Sequence, residues 1–418
     1  MPVISYKCPA CGGEVTYNPK TKNFDCPFCS SSYSETEIKN IWKQNEETDL
    51  SKNSNEVYTN EDYSEHIKVY TCSSCGAEIV ADDTTSATSC CYCHNPVILS
   101  GRVSGQYKPD KMLVFEKDRE SAKEIFQNWT KKRWFVPKDF KKSVANITGI
   151  YVPYWLADCD TDSNMNAVGK VIRSYHRGNY QITETKEYSV ERAANLSFID
   201  VPADGSKKID DDLLCAIEPY NYSEFKPFSM SYLSGFISNR FDDTKEDVTP
   251  RLKERVNQGS YDYLRGTISG YSSVSVSHSN CNIKSMNFEY ALLPVWFLNH
   301  KYGGKDYEMV INGQTGKLAG TPPLSYKRLT VGSFILMALV FIIFLLSGLG
   351  TDTLNSSYIG LSVALSFIAA VIFFFVSKSK YKFKKQVSAT NYLINPKLAT
   401  SKDTFLRTYT TRTKIDKK

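Results

Sequence analysis

Two long apolar stretches near the C-terminal end dominate the hydropathy pattern. Residues 331–349 and 358–376 each run for 19 positions without a charged side chain. At about 1.5 Å rise per residue, a helix of this length reaches roughly 28 Å and matches a hydrocarbon core of about 30 Å. Two buried core helices would usually keep a polar stripe, and the few serines present do not form one. We therefore expect a two-helix transmembrane hairpin over 331–376.

The residues that flank this hairpin carry an asymmetric charge. Lys327–Arg328 precede it and five lysines lie within 378–385, whereas the connecting loop holds Asp352 and no basic residue. Basic flanks stay cytoplasmic. Residues 1–7 show no secretory pattern. We expect a cell-membrane protein with two spans and both termini in the cytoplasm.

The region 101–325 shows helical and strand periodicities in alternation. Apolar residues at helical spacing predict a helix over 118–134, and Thr249 followed by Pro250 predicts the start of a second helix. Elsewhere the apolar segments are short, rich in tyrosine and valine, and separated by turn residues, which indicates strands. The three aspartates of 210–212 fit a solvated helix start better than a cation site.

Two segments of this region resemble each other. Val152–Trp155 and Leu293–Trp296 each carry a proline two positions before a tryptophan, 141 residues apart. Prolines of this kind mark strand beginnings or sheet edges. The second segment leads to a predicted strand over 307–311 and a turn at Asn312–Gly316. We predict an α+β domain, with duplicated β-halves suggested by the repeated segment.

Charge is distributed unevenly along the chain. Residues 1–100 hold 7 basic and 14 acidic side chains, and residues 378–418 hold 12 basic and 2 acidic ones. The overall net charge of +6 therefore averages an acidic head and a basic tail. Contact with nucleic-acid phosphates needs clustered Lys and Arg, which the head lacks. The basic tail is better explained by anionic lipid.

Eight of the 12 cysteines form two sets with identical internal spacing. Each set is a Cys-x2-Cys pair, a spacer of fourteen residues and a second Cys-x2-Cys pair, and the second set follows 64 positions after the first. The repeat predicts two metal sites. The candidate ligands are Cys8, Cys11, Cys26 and Cys29, then Cys72, Cys75, Cys90 and Cys93.

Four thiolates around one ion are the closed tetrahedral arrangement of structural zinc, so we predict two structural zinc ions. Disulfides are disfavoured in a reducing cytosol. Two Cys-x2-Cys pairs at a fixed spacing also fit a metal site better than a redox-active disulfide site, which needs only an isolated Cys-x-x-Cys pair. Cys91 competes with Cys90, but the 64-residue offset favours Cys90. His94 beside it could substitute as a ligand, but with four cysteines present a bystander role is favoured. Each spacer reads as a short hairpin, over 14–25 in the first copy and 78–89 in the second.

These patterns divide the chain into a series of units. A short helix over 35–44 is expected to pack on the first ribbon, and the polar residues after it predict a flexible tether that lets the two ribbons move independently. The predicted units are zinc ribbon 1 (1–34), an acidic linker (35–65), zinc ribbon 2 (66–100), the α+β domain (101–325), the transmembrane hairpin (331–376) and a basic cytoplasmic tail (378–418).

Several motifs together resemble a known family. Cys-Pro-Ala-Cys-Gly-Gly at 8–13, the proline–tryptophan segments at 149–156 and 293–296, and Asn-Gly-Gln-Thr-Gly-Lys at 312–317 are similar to the bacterial TFIIB-type zinc-ribbon membrane proteins, including the YdjG type. Members often carry labels such as primosomal protein or helicase. The resemblance implies a membrane-stress role beside PspA-like or flotillin-like partners.

Motifs of common enzyme classes are missing from the sequence. G-x-x-x-x-G-K-[ST], H-E-x-x-H and G-x-S-x-G do not occur. We therefore predict a non-enzymatic scaffold that recruits partner proteins at the lipid bilayer. The alternative is a nucleic-acid-binding zinc-ribbon protein tethered to the membrane, which the acidic head disfavours. An enzyme that uses the middle domain is a third possibility.

Overall fold

The computed structural model describes residues 3–4, 6–38, 40–41, 67–72, 78–82, 85–89, 96–99, 108–142, 146–350, 355–383 and 387–414. These residues form a mixed α+β protein around a 12-stranded sheet, with two smaller sheets near the N-terminus. The predicted α+β class is confirmed.

The described strands are β1 (Val3–Ile4), β2 (Thr16–Asn18), β3 (Asn23–Asp25), β4 (Ser32–Tyr33), β5 (Ile67–Thr71), β6 (Glu78–Asp82), β7 (Thr85–Ser89), β8 (Pro96–Leu99), β9 (Lys111–Met112), β10 (Asn146–Arg177), β11 (Tyr180–Asp204), β12 (Lys226–Pro227), β13 (Ile237–Asn239), β14 (Ser273–Tyr302), β15 (Lys305–Asn312), β16 (Leu318–Gly320) and β17 (Leu393–Lys414). The helices are α1 (Arg119–Lys131), α2 (Lys138–Lys142), α3 (Asp211–Ala216), α4 (Lys245–Gly266), α5 (Tyr326–Gly350) and α6 (Ser356–Ser379), with 3-10 turns at Tyr222–Glu224, Met230–Leu233 and Thr390–Tyr392. Residues 35–38 and 40–41 are also helical.

Four very long strands lie side by side in the large sheet, in the order β17-β11-β10-β14. The strand β10 has 32 residues, which at about 3.3 Å each gives a contour length of roughly 105 Å. Helix α4 covers one face of these strands, where Val248, Leu252 and Val256 are fully buried against Val190 and Phe198.

The two proline–tryptophan segments lie side by side in the centre of this sheet. In the antiparallel pair β10–β14, Val152 lies opposite Leu293 and Pro153 lies opposite Leu292. Residues 152 and 293 are also equivalent in the sequence repeat. A local two-fold axis through this pair therefore relates one segment to the other.

The surroundings of the two segments follow the same symmetry. Strand β13 pairs in parallel with β10 at Ile150, and β9 pairs in parallel with β14 at Ala291, 141 residues later. The indole of Trp155 donates to the carbonyl of Asp243 at 2.9 Å, and that of Trp296 donates to the carbonyl of Lys117 at 2.9 Å. Both carbonyls belong to the residue just before the N-cap of a helix.

The prediction that the two prolines mark strand beginnings or sheet edges is wrong. Each proline lies inside a long strand, β10 or β14. On the side away from the β10–β14 pair, it lies one residue beyond the last pair that its strand makes with β11 or β15. The carbonyl of Pro153 accepts from the amide of Gly205 at 2.9 Å, and that of Pro294 accepts from Gly313 at 2.8 Å. Because a strand residue directs its nitrogen and carbonyl to the same side, each missing N–H falls beyond the last ladder bond.

Capping explains where the two long body helices begin. The carboxylate of Asp118 accepts from the amide of Ser121 at 2.8 Å and starts α1, as predicted. Helix α4 starts at the N-cap Thr244, five residues before the predicted Thr249, because Thr244 and Asp247 form a reciprocal capping box. Pro250 consequently lies inside the helix. The aspartates of 210–212 cap and begin α3, as predicted.

The two C-terminal helices contain the predicted spans 331–349 and 358–376. They are long and apolar enough to cross a membrane, and only 6% and 17% of their most apolar windows are buried. They are therefore not core helices of the body. The start of α5 and the C-terminal part of α6 both lie beside Phe135. The carbonyl of Phe135 accepts from the amide of Ser325, just before α5, at 2.8 Å, and its ring lies 6.2 Å from that of Phe373 in α6.

The structure corrects two of the predicted domain boundaries. The chain after the hairpin is not a separate tail, because β17 pairs antiparallel with β11 from Tyr180↔Lys414 to Phe198↔Leu393. The guanidinium of Arg407 lies 2.6 Å from the carboxylate of Glu187, so β11 supplies acidic partners for the basic strand.

The segment 66–100 also differs from the predicted small domain. Strand β7 joins the large sheet through β13 and β8, where the small side chains Ser86 and Ser238 share a hydrogen bond of 3.0 Å. Strand β6 pairs with β5 in a separate two-stranded sheet. The two strands predicted within the second spacer therefore exist, but within the described residues they pair with other strands rather than with each other.

Candidate metal centre

The first four candidate cysteines converge on one point. All four Sγ atoms of Cys8, Cys11, Cys26 and Cys29 lie within 4.8 Å of one another. The Sγ atoms of Cys8 and Cys29 are 3.6 Å apart, and those of Cys11 and Cys26 are 3.5 Å apart. This set is close enough to bind a metal ion, as the spacing predicted.

Two tight backbone turns aim these thiols inward. In the first, the Gly12 amide donates to the Cys8 carbonyl at 2.8 Å; in the second, the Ser30 amide donates to the Cys26 carbonyl at 3.0 Å. Gly12 and Ser30 have φ values of 73° and 60°, the left-handed conformation that lets the chain turn around a pair of ligands. The hairpin β2–β3 joins the two turns and places them opposite each other.

Hydrogen bonds from neighbouring groups shift the pKa values of the Cys11 and Cys29 thiols in opposite directions. The Ser31 hydroxyl and amide lower the pKa of the Cys29 thiol to about 6. The Gly13 amide lowers the pKa of Cys11, but the neighbouring Cys29 raises it, with a net pKa of about 12. One ligand therefore ionises readily, and a bound cation would displace the remaining protons.

The donor set fits a tetrahedral metal bound by four thiolates. With metal–sulfur bonds of about 2.3 Å, the edges of such a tetrahedron measure about 3.8 Å. Two of the six Sγ–Sγ distances, 3.5 and 3.6 Å, are close to this value, and all six lie within 4.8 Å. Cys8 and Cys26 are buried while Cys11 and Cys29 are exposed, so the centre lies at the surface of the small domain.

The second predicted set is described at one position. Cys72 follows β5 and is 2% exposed, whereas Cys75, Cys90 and Cys93 lie outside the described residues, as do Cys91 and His94. Cys159 and Cys215 of the body are buried, and Cys281 is half-buried.

The first ribbon packs against the body, which contradicts the predicted independent movement of this ribbon. Tyr232 is 1% exposed, and its ring centroid lies 5.0 Å from that of Tyr17 and 5.5 Å from that of Phe24. The Ser234 hydroxyl donates to the Val15 carbonyl at 2.6 Å. The predicted helix after the ribbon contributes to the same core, because its Ile38 is fully buried there.

A buried polar cluster in the body has no local signature in the sequence. The guanidinium of Arg255 lies 2.5 Å from the carboxylate of Glu218, with side-chain exposures of 7% and 1%. The phenol of Tyr392 donates to the same carboxylate at 2.8 Å. These residues are far apart in the sequence, so no local spacing could reveal them.

Comparisons with known proteins give a single family assignment. No family model and no solved structure matches the chain. The chain is 32% identical over 347 residues to the uncharacterized protein YdjG of Bacillus subtilis (strain 168), and this alignment covers 81% of the chain and 97% of the Bacillus protein. The chain therefore belongs to the family of that protein.

Proposed function

We propose that this member of the YdjG family is a non-enzymatic scaffold, anchored in the cell membrane by α5 and α6, that recruits partner proteins at the cytosolic face. The observation that carries this proposal is the hairpin itself. Two largely exposed apolar helices leave the body and return to it at the same point, beside Phe135. Apolar area of this extent needs a lipid environment.

The charge of the flanks supports the orientation. The basic residues Lys327, Arg328, Lys378 and Lys380 lie at the body end of the hairpin, and basic flanks favour the cytoplasmic side. The ribbon, the large sheet and both termini then share the cytosol. The far end of the hairpin is the part that reaches the other side of the membrane.

The metal centre has a structural role in this proposal. Four thiolates leave no open position for water or substrate, so zinc would stabilise the first ribbon rather than catalyse a reaction. We propose a second zinc at Cys72, Cys75, Cys90 and Cys93. The resemblance of the sequence motifs suggests PspA-like or flotillin-like proteins as the partners to test first.

Metal content and crosslinking test the proposal on the full chain. We expect two zinc ions per chain, one in the double variant Cys8→Ser/Cys11→Ser, and two in the matched control Cys281→Ser, because Cys281 lies in β14, away from the cysteine cluster. In-cell crosslinking of the membrane fraction should capture a defined protein partner. Recovery of the chain in the aqueous fraction without detergent, or detection of the ribbon outside the cell, would refute the membrane arrangement.

A further inference from the structure

A small cavity lies where the body meets the base of the hairpin. Its volume is about 300 Å³, and it is enclosed by the C-terminal turn of α1, the strand β16 and the chain that leaves α6. Three basic side chains line it: Arg133, Lys317 and Lys382. No carboxylate is among its described lining residues.

The charges of these three side chains are not neutralised by the described part of the chain. The guanidinium of Arg133 stacks 3.7 Å from the ring of Trp129 and donates to the Trp129 carbonyl at 3.2 Å. The ammonium of Lys317 donates to the backbone carbonyl of Glu218, whose carboxylate is held by Arg255. Within the described ranges, no carboxylate lies at ion-pair distance from any of the three cations.

Partial burial makes this arrangement costly without an anion. Burial lowers the pKa of Arg133 and of Lys317, because both side chains have lost part of their hydration. A bound anion would replace the lost hydration of these side chains with charge-assisted hydrogen bonds. Guanidinium and ammonium groups in one cavity are the usual combination for a phosphate.

The cavity lies at the level of the lipid headgroups if the hairpin spans the membrane. Tyr381, another lining residue, comes two positions after the end of α6, and its hydroxyl accepts from the amide of Phe135 at 3.1 Å. The ring of Phe135 reaches Phe373, inside the apolar part of α6. Beside it, Trp134 is 83% exposed, and exposed tryptophans are typical of the membrane interface.

We propose that this cavity binds the phosphate-containing headgroup of an anionic phospholipid from the same bilayer leaflet. The inference rests on the proposed membrane insertion, because that insertion brings headgroups to the cavity. The volume suits a headgroup and excludes the acyl chains, which would remain beside α6 and the Trp134 side chain. The bound lipid would fix the body against the membrane surface.

Lipid retention by the full chain tests this proposal. The protein is reconstituted in vesicles of phosphatidylcholine, with or without phosphatidylglycerol, then extracted in mild detergent and weighed intact to count the retained lipids. We expect one phosphatidylglycerol retained in preference to phosphatidylcholine. Arg133→Gln or Lys382→Gln should weaken this retention by about tenfold, since each removes one charged hydrogen-bond donor.

The control variant is Lys327→Gln, which removes a positive charge from the same membrane face but from outside the cavity. It should keep the wild-type retention. Lys382 is exposed, so its variant does not depend on refolding of the core. Equal loss in the control, or equal retention of both lipids by the wild type, would overturn the proposal.

Two further measurements separate the remaining outcomes. Displacement of the retained lipid by inorganic phosphate at matched concentration would identify a site for free phosphate and overturn the lipid assignment. Alkaline extraction of the vesicles reports insertion of the hairpin. Release of the wild type under alkali would refute the proposed membrane anchoring, whereas firm insertion without lipid preference would overturn this inference alone.

Discussion

Replacing Tyr232 by alanine should release the first ribbon from the body. The side chain is 1% exposed and lies between the ribbon residues Tyr17 and Phe24 and the rest of the core. Truncation of a buried aromatic side chain typically costs about 3–5 kcal/mol. The ring contacts with Tyr17 and Phe24 join the ribbon to the body, whereas the hydrogen bond that the Tyr232 hydroxyl accepts from Lys226 lies within the body. We therefore expect the larger part of this cost to weaken docking.

Hydrogen exchange of the full chain in detergent measures this docking directly. The amide of Tyr17 donates to the carbonyl of Ser234 at 3.3 Å across the interface, so its protection reports the docked state. A loss of 3–5 kcal/mol corresponds to an acceleration of about a hundredfold or more. Zinc content should stay unchanged, because the described hydrogen bond and ring contacts of Tyr232 involve Lys226, Tyr17 and Phe24 rather than the four thiols. Tyr175→Ala, on an exposed residue near the distal end of β10, is the matched control.

Two results would refute this reasoning. Unchanged exchange at Tyr17 in the Tyr232→Ala variant would mean that aromatic packing does not hold the ribbon to the body. Joint loss of docking and of zinc would mean that the metal centre cannot form without the body, so that the ribbon is not a unit stabilised by its own thiolates.

Three further predictions, tested with four substitutions, concern the body. Trp155→Phe and Trp296→Phe should each lower the unfolding free energy in chemical denaturation by about 1 kcal/mol, because each substitution removes one equivalent hydrogen bond from an indole. A large difference between the two losses of unfolding free energy would contradict the local symmetry. Glu218→Gln should cost about 3–5 kcal/mol in the same assay, because Arg255 would remain buried without its counter-charge. Burial raises the pKa of the Asp204 carboxyl to about 8, so on raising the pH the unfolded chain loses this proton first, and the stability of the folded chain should fall between about pH 4 and about pH 8. In Asp204→Asn, the melting temperature measured across this pH range should fall less than in the wild type. Parallel plots of melting temperature against pH for the two proteins would contradict this prediction.

Local patterns predicted the features that depend on neighbours in sequence. The spacing of Cys8 to Cys29 defined the metal cluster because each pair is held by one tight turn. Asp118 predicted the start of α1, because an N-cap side chain bonds to a backbone amide no more than three residues away. The uncharged runs at 331–349 and 358–376 marked the apolar helices for the same reason: length and composition are enough to recognise them.

Pairing between distant strands could not be predicted in the same way. Strand β17 is exposed along almost its whole length and carries polar side chains on both faces, so it lacks the alternation that marks a half-buried strand. Its partner β11 lies about two hundred residues earlier. The contact of Tyr232 with the first ribbon could not be predicted either, because a single tyrosine in a short 3-10 turn has no sequence signature of an interface.

The position of β17 also determines how the body is attached to the hairpin. The chain leaves the large sheet after β16, passes through α5 and α6, and returns to the same sheet as β17. The hairpin is therefore an insertion in a folded body rather than an anchor at the end of a flexible chain. The hairpin is attached to the body at both ends, beside Phe135 and through the chain that continues into β17. In the proposed scaffold, a recruited partner would meet the first ribbon, which packs on Tyr232, on a body that is attached to the hairpin at both ends.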